Sequence, residues 1–325
     1  MQSKSIKNIA IVGAGAMGAA YASMFADAGS FSQFFLASGE RYQRLTKKPL
    51  RVNGRPYSIP AVQPQDVKEP VDLILVALKH HHLSEALPAI KAVVGSETII
   101  LSVMNGLESE RIIGSICGME KMVYAIAVGI DAVREGDNFS YARPGRIIFG
   151  EGSKKGDGSR IARLREAFTR AAIPHEVPAD MMRTMWWKFM INVGINQASA
   201  VLRAPYGVFH ASVDARALML LLMQEVIELA GKVSINLAQQ DLDEWSAVLN
   251  TLAPEGMTSM LQDIEAGRKT EVEIFAGKVV SMGAEYDIAT PVNQTILHII
   301  KVLEGGASIN APKMGGASCG DPKIT

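Results

Sequence analysis

The chain has 325 residues, of which 48% are hydrophobic and 20% charged, so it is typical of a globular protein long enough for two domains. Its 33 basic and 33 acidic residues balance, which argues against a nucleic-acid-binding or membrane-surface protein. Because no apolar run reaches the length of a membrane span and no signal-peptide core follows the N-terminus, we expect a cytoplasmic protein without a membrane partner.

The first half of the chain alternates short apolar runs with helical stretches. Three continuous apolar runs have the pattern of strands buried on both faces of a parallel sheet: residues 8–12, 71–77 and 98–103. Between them, residues 16–29 and 83–94 have the length of crossover helices, and Gly29 and Gly95 are the predicted helix stops. This alternation predicts an α/β fold with an N-terminal Rossmann-type, doubly wound parallel sheet.

A glycine-rich motif follows the first strand directly. It reads Gly13-Ala14-Gly15-Ala16-Met17-Gly18 and leads into the first predicted helix. In this context Gly13 makes the tight turn, Gly15 lets a pyrophosphate approach the backbone, and Gly18 lets the helix pack close to the strand. The motif therefore predicts a bound dinucleotide.

The residues after the second predicted strand, 33–37, bear on the choice of dinucleotide. Ser38 and Arg41 offer a hydrogen bond and a positive charge to a 2′-phosphate, which favours NADP. Glu40 could instead accept a hydrogen bond from a ribose 2′-hydroxyl, which favours NAD. A third interpretation is a solvated loop that contacts no cofactor.

The pattern changes in the middle of the chain. Residues 138–150 are typical of a hairpin turning at residues 143–146, which we expect to be the antiparallel edge of the sheet. After it, six periodic stretches predict helices: 180–202, 211–234, 241–253, 259–266, 271–282 and 291–304.

Three regions follow from these patterns. We expect a dinucleotide-binding domain over residues 1–179, an all-α domain over 180–306 and a flexible tail over 307–325. The apolar run 218–223 fits either a domain core or a dimer face, and we expect a homodimer.

Polar residues form a stripe on the first helix of the second half. Lys188, Asn192 and Asn196 are spaced i, i+4, i+8 among Trp, Phe, Met, Ile and Val, so they share one helix face. This face could meet solvent, a buried amide network or a ligand cleft, and the two aligned asparagines favour the cleft. There an ammonium group with a lowered pKa can protonate a carbonyl oxygen, while amides bind substrate oxygens.

Farther along, a Gly-Arg-Lys-Thr segment predicts a helix break. Thr270 is the expected N-cap, which would place Glu271 in the first turn of a new helix, and a structural cap is a sufficient explanation for it. No metal site is expected: the three successive histidines 80–82 cannot all face one ion, so we predict a helix start with exposed histidines. Cys117 and Cys319 are far apart and outside any CxxC motif, which predicts free thiols.

Taken in order, these features resemble the ketopantoate reductase family over nearly the whole chain, to about residue 304. The segments that carry the resemblance are Gly13–Gly18, Val76–Lys79, Asn105-Gly106, Trp187-Lys188 with Asn192 and Asn196, Ser259–Asp263, and Arg268–Glu271. The family commonly carries Leu-Ala-Arg-Gly-Glu-Arg after the second strand, whereas this chain has Ser38 in place of the first arginine. The resemblance implies NADPH as cofactor, and the departure leaves NADH possible.

The resemblance also implies an activity and residue roles. Lys188 would be the general acid in the reduction of ketopantoate, a small 2-oxo acid, to pantoate, and Glu271 would support it. The substrate-binding residues would be Asn192, Asn196, Ser259 and Asn105. Lys79, again with Asn105, would line the nicotinamide side of the cleft. Two alternatives stay open: a related dehydrogenase of another 2-oxo or hydroxy acid, and a dinucleotide-sensing protein without chemistry.

Overall fold

The computed structural model describes residues 5–152 and 158–305. Twelve strands lie in these residues: β1 (Asn8–Val12), β2 (Ser32–Leu36), β3 (Leu50–Val52), β4 (Arg55–Tyr57), β5 (Ala61–Val62), β6 (Leu73–Val76), β7 (Ile99–Ser102), β8 (Met122–Ile130), β9 (Val133–Glu135), β10 (Asn138–Ser140), β11 (Pro144–Gly150) and β12 (His175–Glu176).

Helices occupy most of the rest. The described α-helices are α1 (Ala16–Ala28), α2 (Gly39–Lys47), α3 (Leu83–Ala92), α4 (Ser109–Cys117), α5 (Ser159–Arg170), α6 (Met181–Ile191), α7 (Gln197–Leu202), α8 (Tyr206–Ala211), α9 (Val213–Lys232), α10 (Gln239–Leu249), α11 (Ser259–Glu265), α12 (Ala276–Tyr286) and α13 (Pro291–Gly305). A π-helical segment, Asn192–Asn196, joins α6 to α7, and short 3-10 turns span Pro64–Asp66, His80–His82, Met119–Lys121 and Val272–Ile274.

The main sheet has eight strands in the order β12-β11-β8-β7-β6-β1-β2-β5. The strands from β8 to β5 pair in parallel, and β11 pairs antiparallel with β8. The predicted doubly wound α/β fold is therefore confirmed.

The central strands are buried on both faces because alternate side chains enter different cores. Ile9 and Ile11 of β1 pack into the core on one face of the sheet, whereas Ala10 and Val12 pack into the core on the other. This explains why these strands appear in the sequence as unbroken apolar runs instead of alternating ones.

The predicted hairpin over 138–150 is wrong in its pairing. Residues 144–150 are a strand, not a turn followed by a strand, and this strand pairs with β8, earlier in the chain. Residues 138–140 belong to a second sheet of order β4-β3-β10-β9. An antiparallel strand in the main sheet was predicted correctly, but this strand, β11, is not at the edge. The short strand β12 pairs with β11 and forms the edge of the sheet.

One predicted helix stop is also wrong. Gly29 ends α1 in the left-handed conformation, with φ of 65°, as predicted. In contrast, α3 ends at Ala92 with Val93 as C-cap, and Gly95 is not left-handed. Gly95 is needed for space, since a Cβ there would lie 2.5 Å from Cβ of Pro70.

From Met181 onward the described residues form helices and turns without strands, which confirms the helical second half. Its core includes Trp186, Phe189 and Phe275. In the apolar run 218–223, Met219, Leu222 and Met223 are fully buried whereas Leu221 is 55% exposed, so the run belongs mainly to the core.

The last strand ends at Glu176 and α6 begins at Met181, and we propose the predicted domain boundary, 179–180, between them. The predicted tail, 307–325, and Cys319 lie outside the described residues. Within the described ranges, none of the helices combines the length and apolarity needed to cross a membrane.

Candidate active site

Three predicted site segments meet at one edge of the main sheet. The glycine motif follows β1, Lys79 follows β6, and Asn105 follows β7; these three strands are parallel neighbours. The carboxyl ends of parallel strands form the crevice in which such sheets bind ligands. The parallel pairing of the three strands thus places these residues in one crevice.

The glycine motif has the geometry of a dinucleotide-binding loop. Gly13 has φ of 110°, and a Cβ there would collide with the carbonyl oxygen of Ala77. A Cβ on Gly18 would collide with the carbonyl oxygen of Gly13. Gly15, in contrast, has no neighbouring atom within 4 Å of the position of a Cβ, so space remains beside its backbone.

The remaining motif residues shape this loop from within. Ala14 and Met17 pack against the core of the main sheet, and Ala16 begins α1. The first turn of α1 contains no acidic residue and no side-chain cap, so its N–H groups are open to an anion. These features fit the pyrophosphate of a dinucleotide.

The loop after β2 contains the residues expected to determine the selectivity between NADP and NAD. Ser38 and Glu40 are exposed, and Ser38 makes no capping bond to α2. Arg41 contacts Nδ1 of His82 at 2.8 Å and Oε2 of Glu85 at 3.3 Å. Arg41 is therefore held beside a histidine that the sequence interpretation left without a role.

The three histidines form a 3-10 turn before α3, as the predicted helix start implies, but only His81 is exposed. His80 and His82 are half-buried, because the turn packs beside Arg41 and the helical domain. Burial and the charge of Lys269 lower the pKa of His81. Among residues 5–152 and 158–305, no group of three or more His, Cys, Asp or Glu side chains is arranged to hold a metal ion.

Lys79 forms an ion pair with Asp263, which belongs to α11 of the helical domain. Asp263 is 6% exposed and also accepts a hydrogen bond from Nε of Arg268 at 2.9 Å. One buried carboxylate thus joins the two domains at the cleft. In the sequence Asp263 is only part of a motif, although its spacing of four from Ser259 places both on one helix face.

Glu271 and Asn105 form a second contact across the cleft. Nδ2 of Asn105 donates to Oε2 of Glu271 at 3.0 Å, and the backbone N–H of His80 approaches Oε1 at 3.4 Å. The predicted cap is wrong in detail: Glu271 is itself the N-cap of the 3-10 turn Val272–Ile274, not a residue of its first turn. Thr270 still accepts a hydrogen bond from the N–H of Val272, at 3.2 Å.

Lys188 lies on α6 and is half-buried, and its side chain makes no hydrogen bond or ion pair with the part of the chain that the structure describes. Burial lowers the pKa of Lys188 to about 8, opposed by the charges of Glu271 and Glu110. An ammonium group with this pKa exchanges protons readily near neutral pH. It is a suitable general acid.

The two asparagines of the stripe lie in the π-helical segment. Nδ2 of Asn196 approaches Oδ1 of Asn192 at 3.4 Å, so the predicted shared face is present. Gly194 lets this segment pack on α9, since a Cβ would meet Met223. A π-helical turn within an α-helix is frequent at functional sites because it shifts the direction of the side chains.

Ser259 is the predicted substrate-binding residue on α11. It is exposed at the start of α11, where Thr258, not Ser259, caps the helix by accepting from the N–H of Leu261 at 3.2 Å. The helix itself packs against the π-helical segment that carries the asparagines. Ser259 therefore lies on the side of the cleft formed by the helical domain.

Two family models match the chain. The model described as ketopantoate reductase PanE/ApbA matches residues 9–154, and the model of the ketopantoate reductase PanE/ApbA C terminal matches residues 180–304. The 2-dehydropantoate 2-reductase of Aquifex aeolicus is 27% identical over 304 residues, which cover 90% of this chain and 96% of that protein.

Solved structures share the fold. The structure of 2-dehydropantoate 2-reductase from Geobacter metallireducens has a TM-score of 0.80 at 28% identity and covers 90% of this chain and 99% of its own. The ternary structure of D-mandelate dehydrogenase with NADH and anilino(oxo)acetate has a TM-score of 0.83 at 22% identity, covering 92% and 99% of the two chains. This second likeness shows the fold alone.

Proposed function

Since the chain belongs to the ketopantoate reductase family, we propose that it is a cytoplasmic 2-dehydropantoate 2-reductase, which forms pantoate on the route to pantothenate and coenzyme A. The observation that carries this proposal is Lys188. A half-buried lysine with a pKa near 8, whose charge interacts with that of Glu271, has the chemistry required to protonate a ketone oxygen.

In the proposed reaction a ketone becomes an alcohol. A reduced nicotinamide held by the Gly13–Gly18 loop would supply a hydride to the carbonyl carbon. Lys188 donates a proton from Nζ to the carbonyl oxygen, so the C=O bond becomes C–O–H and the lysine is left neutral. Glu271, held by Asn105, stabilises the ammonium form of Lys188 before transfer.

The other predicted residues would hold the two reactants. Asn192 and Asn196 present amides, and Ser259 a hydroxyl, to the hydroxyl and carboxylate of the substrate. Lys79 and Asn105 would line the nicotinamide side of the cleft. The Gly13–Gly18 loop would receive the pyrophosphate, for which the open space beside Gly15 is the supporting observation.

We propose NADPH as the preferred dinucleotide, with Arg41 binding the 2′-phosphate. Arg41 has a side chain that is 36% exposed and borders the same loop as Ser38. Because Ser38 lacks a charge, we expect only a moderate preference over NADH. Introducing Ser38→Arg adds a charge-assisted bond worth about 1.5 to 3 kcal/mol, so the preference for NADPH should rise about 10-fold or more. Ser38→Ala removes only a neutral hydrogen bond and should lower the preference by about a few-fold.

The experiment follows the oxidation of NADPH and NADH by absorbance, with ketopantoate and a panel of other 2-oxo acids. Turnover of ketopantoate well above that of the panel supports the proposal. Activity on another 2-oxo acid but not on ketopantoate would support the proposed mechanism and exclude ketopantoate as the substrate. The D-mandelate dehydrogenase likeness makes an aromatic 2-oxo acid the natural panel member for the alternative of a related dehydrogenase.

The variant Lys188→Met separates an enzyme from a dinucleotide sensor. It removes the ammonium group with little change in side-chain volume, so turnover should fall about 100-fold or more while dinucleotide binding, followed by nicotinamide fluorescence, stays unchanged. Unchanged turnover would exclude Lys188 as the general acid.

We also propose a homodimer. The exposed Leu221 on α9 provides an apolar contact point, and sedimentation velocity of the chain and of Leu221→Glu tests it. A chain that sediments as a monomer would exclude this assembly.

A further inference from the structure

A second carboxyl group lies buried beside the candidate site. Glu110, in the first turn of α4, is 1% exposed. Its Oε2 accepts from Oγ of Ser109 at 2.9 Å, and Ser109 in turn contacts Oγ of Ser102 at 2.8 Å. Its Oε1 has no hydrogen-bond partner in the described chain.

Burying a carboxyl oxygen without a partner costs folding free energy, so packing alone does not account for a glutamate at this position. An amide or an apolar side chain would satisfy the packing at less cost. Packing therefore does not explain the charge of the Glu110 carboxylate. Glu110 lies five residues after Asn105, in the helix to which the loop after β7 leads, and Asn105 on that loop contacts Glu271.

Lys188 lies on the helix face that packs beside this loop, because Met181, Met185 and Lys188 are spaced i, i+4, i+7 on α6. The first part of α6 packs on the sheet beside this loop: Met181 and Met185 contact Ile126 and Ile148, with Leu107 at the edge of the same cluster. Lys188 and Glu110 interact electrostatically, each favouring the charged form of the other.

We propose that Glu110 is a positioning residue that acts through Lys188: its buried carboxylate supports the ammonium form of the lysine from the side of the sheet, while Glu271 does so from the helical domain. The catalytic consequence rests on the proposed function. The electrostatic coupling between Glu110 and Lys188 does not rest on the proposed function, because it exists in the protein without substrate.

The groups around the pair can be named from each packed element. Lys188 on α6 is faced by Glu110 from α4 and by Glu271 from the helical domain. Glu110 is faced by Ser109 and by Tyr124 on β8, and burial followed by the charge of Glu110 raises the pKa of that tyrosine.

Burial also raises the pKa of Glu110 itself, to about 7, opposed by hydrogen bonds from its own backbone, from Ser109 and from the backbone of Ala125, and then by the charge of Lys188. Glu110 and Lys188 therefore titrate in adjacent pH ranges and are coupled. At pH values above about 7 the carboxylate is charged and holds the proton on the lysine.

The test is the titration of Lys188 in the intact protein labelled with [13C]lysine. The 13Cε resonance that disappears in Lys188→Met identifies the residue. In Glu110→Gln, which keeps shape and volume, we expect Lys188 to titrate at a pH lower by about one, because an opposite charge has been removed. Glu108→Gln is the matched control: this neighbouring carboxylate pairs with Lys278, at 3.0 Å, so Lys188 should titrate as in the parent.

A second variant keeps the proposal testable if Glu110→Gln does not fold. Ser109→Ala removes a hydrogen bond that favours the charged carboxylate of Glu110. Both Glu110 and Lys188 should therefore titrate at an altered pH, and Lys188 should titrate at a lower pH than in the parent. If neither variant moves the titration of Lys188, the proposal is overturned.

Turnover provides the catalytic readout. In Glu110→Gln the loss of kcat on the alkaline side should begin at lower pH than in the parent, with dinucleotide affinity unchanged, and Glu110→Asp should restore part of the difference. An altered NMR titration in a protein that does not reduce ketopantoate would refute the proposed function and leave the coupling standing. A uniform fall of kcat at every pH, without a moved titration, would mean a structural role only.

Discussion

Replacing Lys188 by methionine is expected to stabilise the folded protein at neutral pH while it removes activity. Lys188 has a pKa of about 8 against the ordinary 10.5, because its ammonium group is buried. At about 1.4 kcal/mol for each pH unit, charging this group costs the folded state about 3 kcal/mol. Since the side chain is only half-buried, we expect Lys188→Met to recover about 1 to 3 kcal/mol, a rise in Tm of about 2 to 8 °C.

The pH dependence gives the sign of this effect. The folded-state pKa of Lys188 lies below the unfolded value, so the cost is present in full below pH 8 and disappears as the pH rises towards 10.5. The advantage of Lys188→Met should therefore be largest near pH 7 and small near pH 10. Thermal and urea unfolding at both pH values measures it, with the exposed Lys68→Met as control. Equal or lower stability of Lys188→Met at pH 7 would refute the argument.

Three further substitutions test the cleft. Gly15→Ala enters open space and should leave Tm unchanged while weakening dinucleotide binding, measured by fluorescence titration. Gly13→Ala forces a left-handed backbone and a collision with Ala77, so calorimetry should show a loss of stability of about 1 to 3 kcal/mol as well. Glu271→Gln keeps the bond from Asn105 but removes a charge that raises the pKa of Lys188, so kcat should fall at lower pH than in the parent; an unchanged pH profile would exclude this role.

The sequence predicts the parts of the fold that depend on local patterns. Strands β1, β6 and β7 are unbroken apolar runs because both faces are covered, and the glycine motif identifies the turn after β1. The polar stripe from Lys188 to Asn196 was also visible, since helical spacing alone places these residues on one face.

What escaped prediction depends on pairing between distant segments. The Pro144-Gly145 pair is typical of a turn, yet it begins a strand whose partner, β8, lies earlier in the chain, and local composition does not encode that register. The strands β3, β4, β9 and β10 have three residues each, too few for a periodic signal.

Contacts across the cleft are equally non-local. Lys79 and Asp263 are 184 residues apart in the chain, and no spacing rule connects them. The role of Glu110 was hidden for a different reason: a glutamate in the first turn of a helix has an ordinary explanation in the helix dipole, and only burial shows that it faces inwards.

Helix α6 is shared between the two halves of the molecule. Its first turns, through Met181 and Met185, are fixed to the sheet, whereas Trp186 and Phe189 belong to the helical core. A helix that packs on both halves of a molecule lies close to the axis about which the halves rotate, and atoms near a rotation axis move least. Opening of the cleft would therefore carry Asp263 and Glu271 away from the sheet and leave Lys188 nearly in place. Lys188, the proposed proton donor, would keep its position, and the charged groups around it would be the ones that move.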